Sequence, residues 1–521
     1  MNRGVSYLFK IMVFFLLATS IVVLVVSSLT TIYYEMHSDV DRPIYGSENI
    51  PRLIILLLLT LGVFFVLYMK SCFEKYRIFT AGSLVFITLY SLMLLWAIRP
   101  RAVDDALLVD ACINEFMAGD YTSLTKPGGY LFIWPFQLGY TAFGQIMALL
   151  FGESNFLAWE LVQLLCILVT MFLIYRITWE LFGDRVVCGI AGLMSFGALF
   201  FYNYVTFIYG DILSMAPQTL AIYMMVLYLK RKKTVYAVVS AIAIALAVLL
   251  KTNCEVTLIA LVGILILEGV FASKEEKAAG FDLKKTVKAL ALAALFLALT
   301  FVFKEAINAY YCSVSGLSEI PKGSPSWSHI AMGLQESDLE DGWYNGYNYR
   351  VFRENNYDSE ATAREAKENI RQTLEKFAEN PLYAARFFVR KFTTQWADSV
   401  AISTHNLDLV SRHVENQPAL CDFLVFGKGS RVLCWIMNVF MPVCYAGVSV
   451  YLFGIIKGRK FTYQEMLLPV LIFGGIIFHQ FWEGSSRYAM RYYIYWLPYG
   501  AFGLKVLLGR IEKFLIRKNR H

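Results

Sequence analysis

Thirteen apolar stretches, each near the length of a bilayer core, divide this sequence: 11–33, 51–69, 78–97, 130–151, 155–177, 184–202, 207–229, 235–251, 255–273, 285–307, 430–456, 463–481 and 491–508. A hydrocarbon layer about 30 Å thick needs ~20 helical residues to cross it. Charged residues make up only 17% of the chain, against about a quarter in soluble domains, and the shortfall lies in these stretches. The first, Ile11 to Ile32, follows Arg3 and Lys10. It is too long for a signal-peptide core and no small-residue cleavage site follows it, so it reads as a retained first helix.

Thirteen segments do not fit the charge pattern between them. Basic clusters favour the cytoplasmic side of a span. The strongest are Lys230–Lys233, the stretch with Lys274, Lys277, Lys284, Lys285 and Lys288, then Lys457–Lys460, and the tail from Arg510 to His521. With all four inside, and with the N-terminus and the Lys70–Arg77 loop inside as well, one segment between 98 and 177 must fail to cross. The weakest is 130–151, which holds Pro135, Gln137, Gly139, Gly144 and Gln145. It is expected at the membrane interface or as a re-entrant segment.

The expected architecture is therefore all-α and polytopic. About twelve spans carry juxtamembrane helices in a first large outer loop. An N-terminal transmembrane module covers 1–307, with its outer loop at 98–154. An outer region covers 308–429 and reads as a small mixed domain. Its parts include an amphipathic helix at about Ser359–Glu379, then Pro381 and an aromatic-basic interfacial helix over Leu382–Trp396. C-terminal spans and a basic cytoplasmic tail cover 430–521. The formal charge of +7 follows from basic residues at helix ends. No basic face interleaved with stacking aromatics appears, so nucleic acid is not an expected partner.

Nine cysteines stand singly, with no Cys-x-x-Cys pair to suggest zinc or redox chemistry. A disulfide between Cys312 and Cys421, in the outer region, is one option. The chain also has no phosphate-cradling glycine loop, no His-Glu-x-x-His and no Ser-His-Asp set.

Chemistry is expected where the outer loops meet the membrane. Asp104 and Asp105 open a segment to Ala118 with helical apolar spacing at Leu108, Ala111, Cys112 and Phe116. A carboxylate beside a low-dielectric wall and a like charge has its pKa raised, which suits a general base for an alcohol. The same position suits a helix cap. Asp211, in Tyr209-Gly210-Asp211, reads either as a cap or as a contact to substrate or metal. Lys251, with Asn253 beside it, ends an apolar run at the outer face, where it can snorkel or meet a lipid phosphate. The last outer patch holds Glu483, Arg487, Tyr488 and Arg491. Two arginines on an outward loop run against the usual charge preference and suit a phosphate, with Glu483 placed to hold Arg487. Trp327, Trp343, Tyr344 and Asn345 suit either a sugar ring or a core.

The ordered set resembles the integral-membrane glycosyltransferases of the C-type (GT-C) fold. Within these it is similar to bacterial relatives of the dolichyl-phosphate-mannose–protein mannosyltransferases and of the lipid A aminoarabinose transferases. The residues that carry the likeness start with Asp104-Asp105, Gly119-Asp120-Tyr121 and Gly128-Gly129-Tyr130-Leu131 before Pro135, then Phe151-Gly152. They continue with Tyr209-Gly210-Asp211, Leu250-Lys251-Thr252-Asn253, Met332-Gly333-Leu334, Gly342-Trp343-Tyr344-Asn345, and Glu483 with Ser486-Arg487-Tyr488. Two departures stand out. Two spans precede the one leading to the acidic loop, and Asp105 stands where Gln or Glu is common.

The resemblance implies an inverting glycosyltransferase, hexosyl or pentosyl, that uses a polyprenyl-phosphate-sugar donor at the outer face of the plasma membrane. Asp104, then Asp105, would act as base. Asp211 would line the same cavity, and Lys251, Arg487 and Arg491 would meet the donor phosphate. The acceptor would be a glycan, lipid or protein. A divalent metal ion shared by Asp104, Asp105 and Asp211 is possible on carboxylate chemistry alone. A lipid or polysaccharide transporter (a flippase), or a non-catalytic subunit of envelope-polymer assembly, would carry the same charges without the reaction.

Overall fold

A computed structural model describes residues 3–271 and 283–518. Lys274, Lys277 and the last three residues of the basic tail lie outside the described residues.

Among those residues, nine helices are long and apolar enough to cross a bilayer. They are Gly4–Leu29, Ile50–Met69, Cys72–Ala97, Phe156–Phe182, Gly210–Arg231, Thr252–Phe271, Leu283–Ser315, Lys428–Ile456 and Tyr463–Phe481. Three further helical segments occupy the remaining expected spans, and each falls short for a physical reason. Arg185–Gly197 and Leu199–Thr206 are bent by 55° at their junction. Thr234–Leu250 has 17 residues, about 25 Å of helix. Ser486–Lys518 is long, but buried tyrosines (Tyr492, Tyr493, Tyr495 and Tyr499) replace aliphatics along it. A helix in the middle of a bundle meets protein rather than lipid, so it need not be uniformly apolar.

The 130–151 segment forms no single helix long enough to cross. It breaks into Tyr130–Ile133, a turn at Pro135–Gln137 and the 14-residue helix Leu138–Phe151. That last helix is about 21 Å long and ends in exposed Leu149, Leu150 and Phe151. Asp105–Met117 packs against it. Asp110 accepts from Ser154 at 2.7 Å, which closes the outer loop on itself.

One expectation is corrected and one option is closed. The first span stops at Leu29, and Thr30–Tyr34 instead forms strand β1, paired antiparallel with β2, Pro43–Ser47. β-branched and aromatic residues in Thr30-Thr31-Ile32-Tyr33-Tyr34 favour that pleat, and an apolar count alone does not separate it from the helix before it. The Cys312–Cys421 pairing is absent: both thiols are free, and Cys312 lies in the long helix Leu283–Ser315. In the outer region, helices cover Ser359–Glu379 and Pro381–Trp396. Asp358 and Asn380 cap their N-termini through side-chain oxygens.

Lys428–Ile456 packs between Arg3–Leu29 and Ser486–Lys518. Its Gly447 meets the backbone of Gly500 and Gly503 so closely that a Cβ at Gly447 or Gly503 would strike a carbonyl. Small residues let membrane helices approach in this way. On the basic face, ion pairs tie helix ends together. Glu180 takes Lys230 at 2.9 Å and Arg231 at 3.1 Å, and Glu268 takes Lys232 at 2.8 Å and Lys285 at 3.4 Å.

Candidate active site

Asp211 lies in the first turn of Gly210–Arg231 and is 1% exposed. Three cations from distant parts of the chain converge on its carboxylate. Lys251 Nζ stands 3.2 Å from Oδ2, Arg491 Nη2 3.5 Å from Oδ1, and Arg487 Nε 3.9 Å from Oδ2. The approach depends on Gly210, because a Cβ there would collide with the carbonyl oxygen of Leu250, next to Lys251. The capping alternative for Asp211 is therefore replaced by ion pairing. Three cations face one carboxylate, so the cluster keeps a surplus of positive charge.

Aromatic rings hold the cations in place. Lys251 Nζ lies 4.2 Å from the Tyr209 ring centre, and the Arg487 guanidinium lies 5.6 Å from Tyr209 and 5.3 Å from Tyr488, within cation–π range. Arg491 is nearly inaccessible and donates to Gln218 at 3.0 Å and to the Cys254 sulfur at 3.4 Å. Against the sequence expectation that Glu483 holds Arg487, the two make no direct ion pair among the described residues. Tyr488 stands between them, donating to Glu483 at 3.0 Å and accepting from Arg487 at 3.4 Å. Burial pushes the Glu483 carboxyl above its usual range, and the Arg487 charge opposes that. His479 stacks on Tyr488 with ring centres 5.3 Å apart. Asn253 sits in the turn after Lys251, but Cys254, not Asn253, reaches Arg491.

The two aspartates of the outer loop join this cluster by different routes. Asp105 and Gln137 both lie near the Tyr130 hydroxyl, where the Asp105 charge adds to burial in raising its pKa, and Gln137 donates to the Tyr209 hydroxyl. Asp104 occupies the N-cap of Asp105–Met117, yet its side chain makes no capping hydrogen bond. Its backbone lies at φ 51°, ψ −135°, a region that residues with a Cβ rarely occupy. The Asp104 side chain is exposed. Surrounding protein still raises its carboxyl above the ordinary value by desolvation; the Arg487 charge acts against this, and Asp105 and Asp41 add to it.

Several partners were not singled out from the sequence. Asp41, in the turn of the β-hairpin, acts on both Asp104 and Glu483. Tyr34 donates to Asp398 at 2.8 Å and lies 2.9 Å from Ser486, beside Arg487. Asp398 in turn accepts the backbone N–H groups of Val400 and Ile402. Lys391 is fully buried and caps three backbone carbonyls: Gly333, Gln480 at 3.0 Å and Trp482 at 2.7 Å. It ties the outer region to the loop carrying Glu483. The only hint of this was a Lys at the apolar spacing of the 381–396 helix. Trp343 is core, donating to Thr394 at 3.3 Å, whereas Tyr344 is exposed and feels the charges of Glu483 and Asp105.

A metal shared by the three aspartates does not fit. Asp211 is taken up by cations, and among the described residues no group of three His, Cys, Asp or Glu stands in position to hold an ion.

Residues 138–303 match the family model of the dolichyl-phosphate-mannose-protein mannosyltransferases. No curated protein sequence matches the chain. Two solved structures are similar at low identity. Archaeal oligosaccharyltransferase AglB from Archaeoglobus fulgidus, solved with an inhibitory peptide and a dolichol-phosphate, aligns over 86% of this chain and 52% of its own, at 17% identity and a TM-score of 0.43. The chain thus spans about half of that protein's length. ArnT from Cupriavidus metallidurans, bound to undecaprenyl phosphate, aligns over 82% of this chain and 78% of its own, at 16% identity and a TM-score of 0.34. The resemblance read from the sequence is thus met by a mannosyltransferase family match over the stretch that carries Tyr209, Asp211 and Lys251 of this multi-pass, predominantly helical membrane protein.

Proposed function

We propose that this chain is an inverting membrane glycosyltransferase that moves a sugar from a polyprenyl-phosphate-linked donor to an acceptor hydroxyl. The observation that carries the reading is the convergence of Lys251, Arg487 and Arg491 on the single carboxylate of Asp211. The uncompensated charge suits the phosphate of a lipid whose chain lies in the bilayer. The basic loops support an orientation with both termini in the cytoplasm and this site at the outer face of the plasma membrane.

In the proposed reaction the acceptor oxygen attacks the anomeric carbon from the face opposite the phosphate. Its proton passes to the Asp104 carboxylate, held above the usual range by desolvation and so better matched to the task. The bond from the anomeric carbon to the phosphate oxygen breaks, and the electron pair leaves with the lipid phosphate. The added negative charge develops against Arg487, Arg491 and Lys251, which stabilises the transition state more than the ground state. Asp105 orients Tyr130 and, through Gln137, Tyr209 beneath Lys251. No step is assigned to a metal ion.

The test is sugar transfer by purified protein from polyprenyl-phosphate sugars. Asp104→Asn is expected to lower kcat by 10²–10⁴-fold, about the contribution of a positioned base, with binding of the lipid phosphate retained. Unchanged turnover would remove Asp104 from the role. Transport of the intact donor without cleavage would favour a flippase instead.

A further inference from the structure

We propose that the acceptor is a neutral, hydroxyl-rich glycan, and that it docks in a second cleft beside the site just described; this rests on the transferase reading above. The cleft, of about 650 Å³, lies between the β-hairpin, the loop 336–341 and the helix Pro381–Trp396. That volume is in the range of specific small-molecule sites.

Its lining has the chemistry of sugar recognition. Tyr45, on β2, is 40% exposed and offers an aromatic ring, and Tyr383, whose ring centre lies 4.5 Å from Lys376 Nζ, lines the opposite wall. Charges of both signs surround them, but most are already committed to each other. Arg390 pairs with Glu340 at 2.5 Å and lies 3.7 Å from Asp341, and Tyr383 donates to Glu336 at 2.6 Å. With Arg42, Arg386 and Arg390 set against Glu336, Asp338, Glu340 and Asp341, the lining favours neither sign, so a strongly charged occupant would meet like charge or break these pairs. A neutral polyol would not, because its hydroxyls can give to spare carboxylate lone pairs and accept from spare N–H groups. Arg42 and Asp338 line the cleft, are exposed, and take part in no ion pair among the described residues. They are free to bind.

Two segments lead from the cleft toward the candidate active site. Arg42 lines the cleft, while its neighbour Asp41 acts on Asp104 and Glu483. The loop lining the cleft at 336–341 continues into Gly342, whose carbonyl accepts from Gly484 at 2.7 Å, and into Tyr344, which feels both Asp105 and Glu483. A glycan seated in the cleft could thus extend one end past the hairpin turn toward Asp104. None of the cation cluster around Asp211 lines the cleft, so donor and acceptor would be held by separate residues.

The experiment uses the full-length protein in nanodiscs, with an undecaprenyl-phosphate sugar as donor. The acceptor probe is the neutral oligosaccharide fraction released from the surface polymers of its own cells. A tryptic peptide fraction from the same envelopes is run beside it. Glycan adducts are read by native mass spectrometry and transfer by steady-state kinetics, for wild type, Arg42→Ala and Asp338→Ala. Both substitutions lie on the exposed wall and spare the fold. The expected result is loss of glycan adducts and a tenfold or greater rise in KM for the glycan, with kcat and the donor KM unchanged. Glycan adducts and KM that are indifferent to both substitutions overturn the proposal. So do adducts and variant sensitivity confined to the peptide fraction. Variant-sensitive glycan adducts in a wild-type chain that transfers no sugar would support the cleft and count against the transferase reading alone.

Discussion

Asp211→Asn should do two things at once that are seldom seen together: destabilise the empty protein and strengthen its hold on a phosphate. The carboxylate is the sole anion within 4 Å of Lys251, Arg487 and Arg491 among the described residues. With no ligand present it is what permits three cations to share a buried site. Removing one partner from a buried, hydrogen-bonded ion cluster costs about 3–5 kcal/mol, because the remaining charges stay desolvated without a counter-charge. The same carboxylate competes with an incoming phosphate for those cations. In the Asn variant the phosphate replaces the missing anion instead of adding to one already present. The assay is thermal unfolding in detergent, with and without undecaprenyl phosphate. The variant should unfold several degrees below wild type when empty, and the lipid phosphate should raise its midpoint by more than it raises that of wild type, as linkage to the folded state requires. Asp211→Asn with Lys251→Met, which restores the local balance, should recover part of the loss. Equal ligand-induced shifts in wild type and Asp211→Asn would refute the idea that Asp211 is a place-holder for phosphate.

Three further outcomes are expected. A base whose pKa is raised loses activity as pH falls through that raised value, so the acid limb of kcat/KM should lie above the ordinary Asp range. Asp105→Asn removes a charge that raises the Asp104 pKa and should move the limb to lower pH, whereas Asp104→Asn should abolish it; a limb that follows Asp105 would reverse the two roles. Lys391→Met strands three buried carbonyls, at about 1–3 kcal/mol for each group left unsatisfied, and should make the 316–427 region sensitive to limited proteolysis while the membrane helices persist. Gly210→Ala sets a Cβ against the Leu250 carbonyl; overpacking of this kind costs about 1–3 kcal/mol, and prising Asp211 from Lys251 should show as weaker lipid-phosphate binding.

Much of the fold was legible because a bilayer leaves few choices. Apolar length located the spans, and basic loops removed 130–151 from them. Thr30–Tyr34 was misread because β-branched and aromatic residues are as apolar in a strand as in a helix. The buried tyrosines of Ser486–Lys518 show the reverse, a span whose polarity is set by its protein neighbours. In the site, Asp211, Lys251, Arg487 and Arg491 could be named because they border apolar runs on the outer side, where basic residues run against the usual preference. What joins them was not legible. The insertion of Tyr488 between Glu483 and Arg487, and the path from Asp105 through Tyr130 and Gln137 to Tyr209, depend on side-chain directions that spacing does not encode. Asp41, Asp398 and Lys391 were missed because each looks like an ordinary loop or surface charge until the segment it holds is in place.

The backbone of Asp104 at φ 51°, ψ −135° sets two selective pressures against each other. Conformations of this kind cost of order 1–3 kcal/mol for a residue with a Cβ, and glycine would relieve most of it. Mutagenesis scored only on expression or thermal stability should therefore enrich Asp104→Gly. A screen scored on sugar transfer should discard it. Position 104 is then where a stability-guided redesign of this protein would be led astray first, and disagreement between the two screens there would measure how much stability the chain gives up to aim that carboxylate.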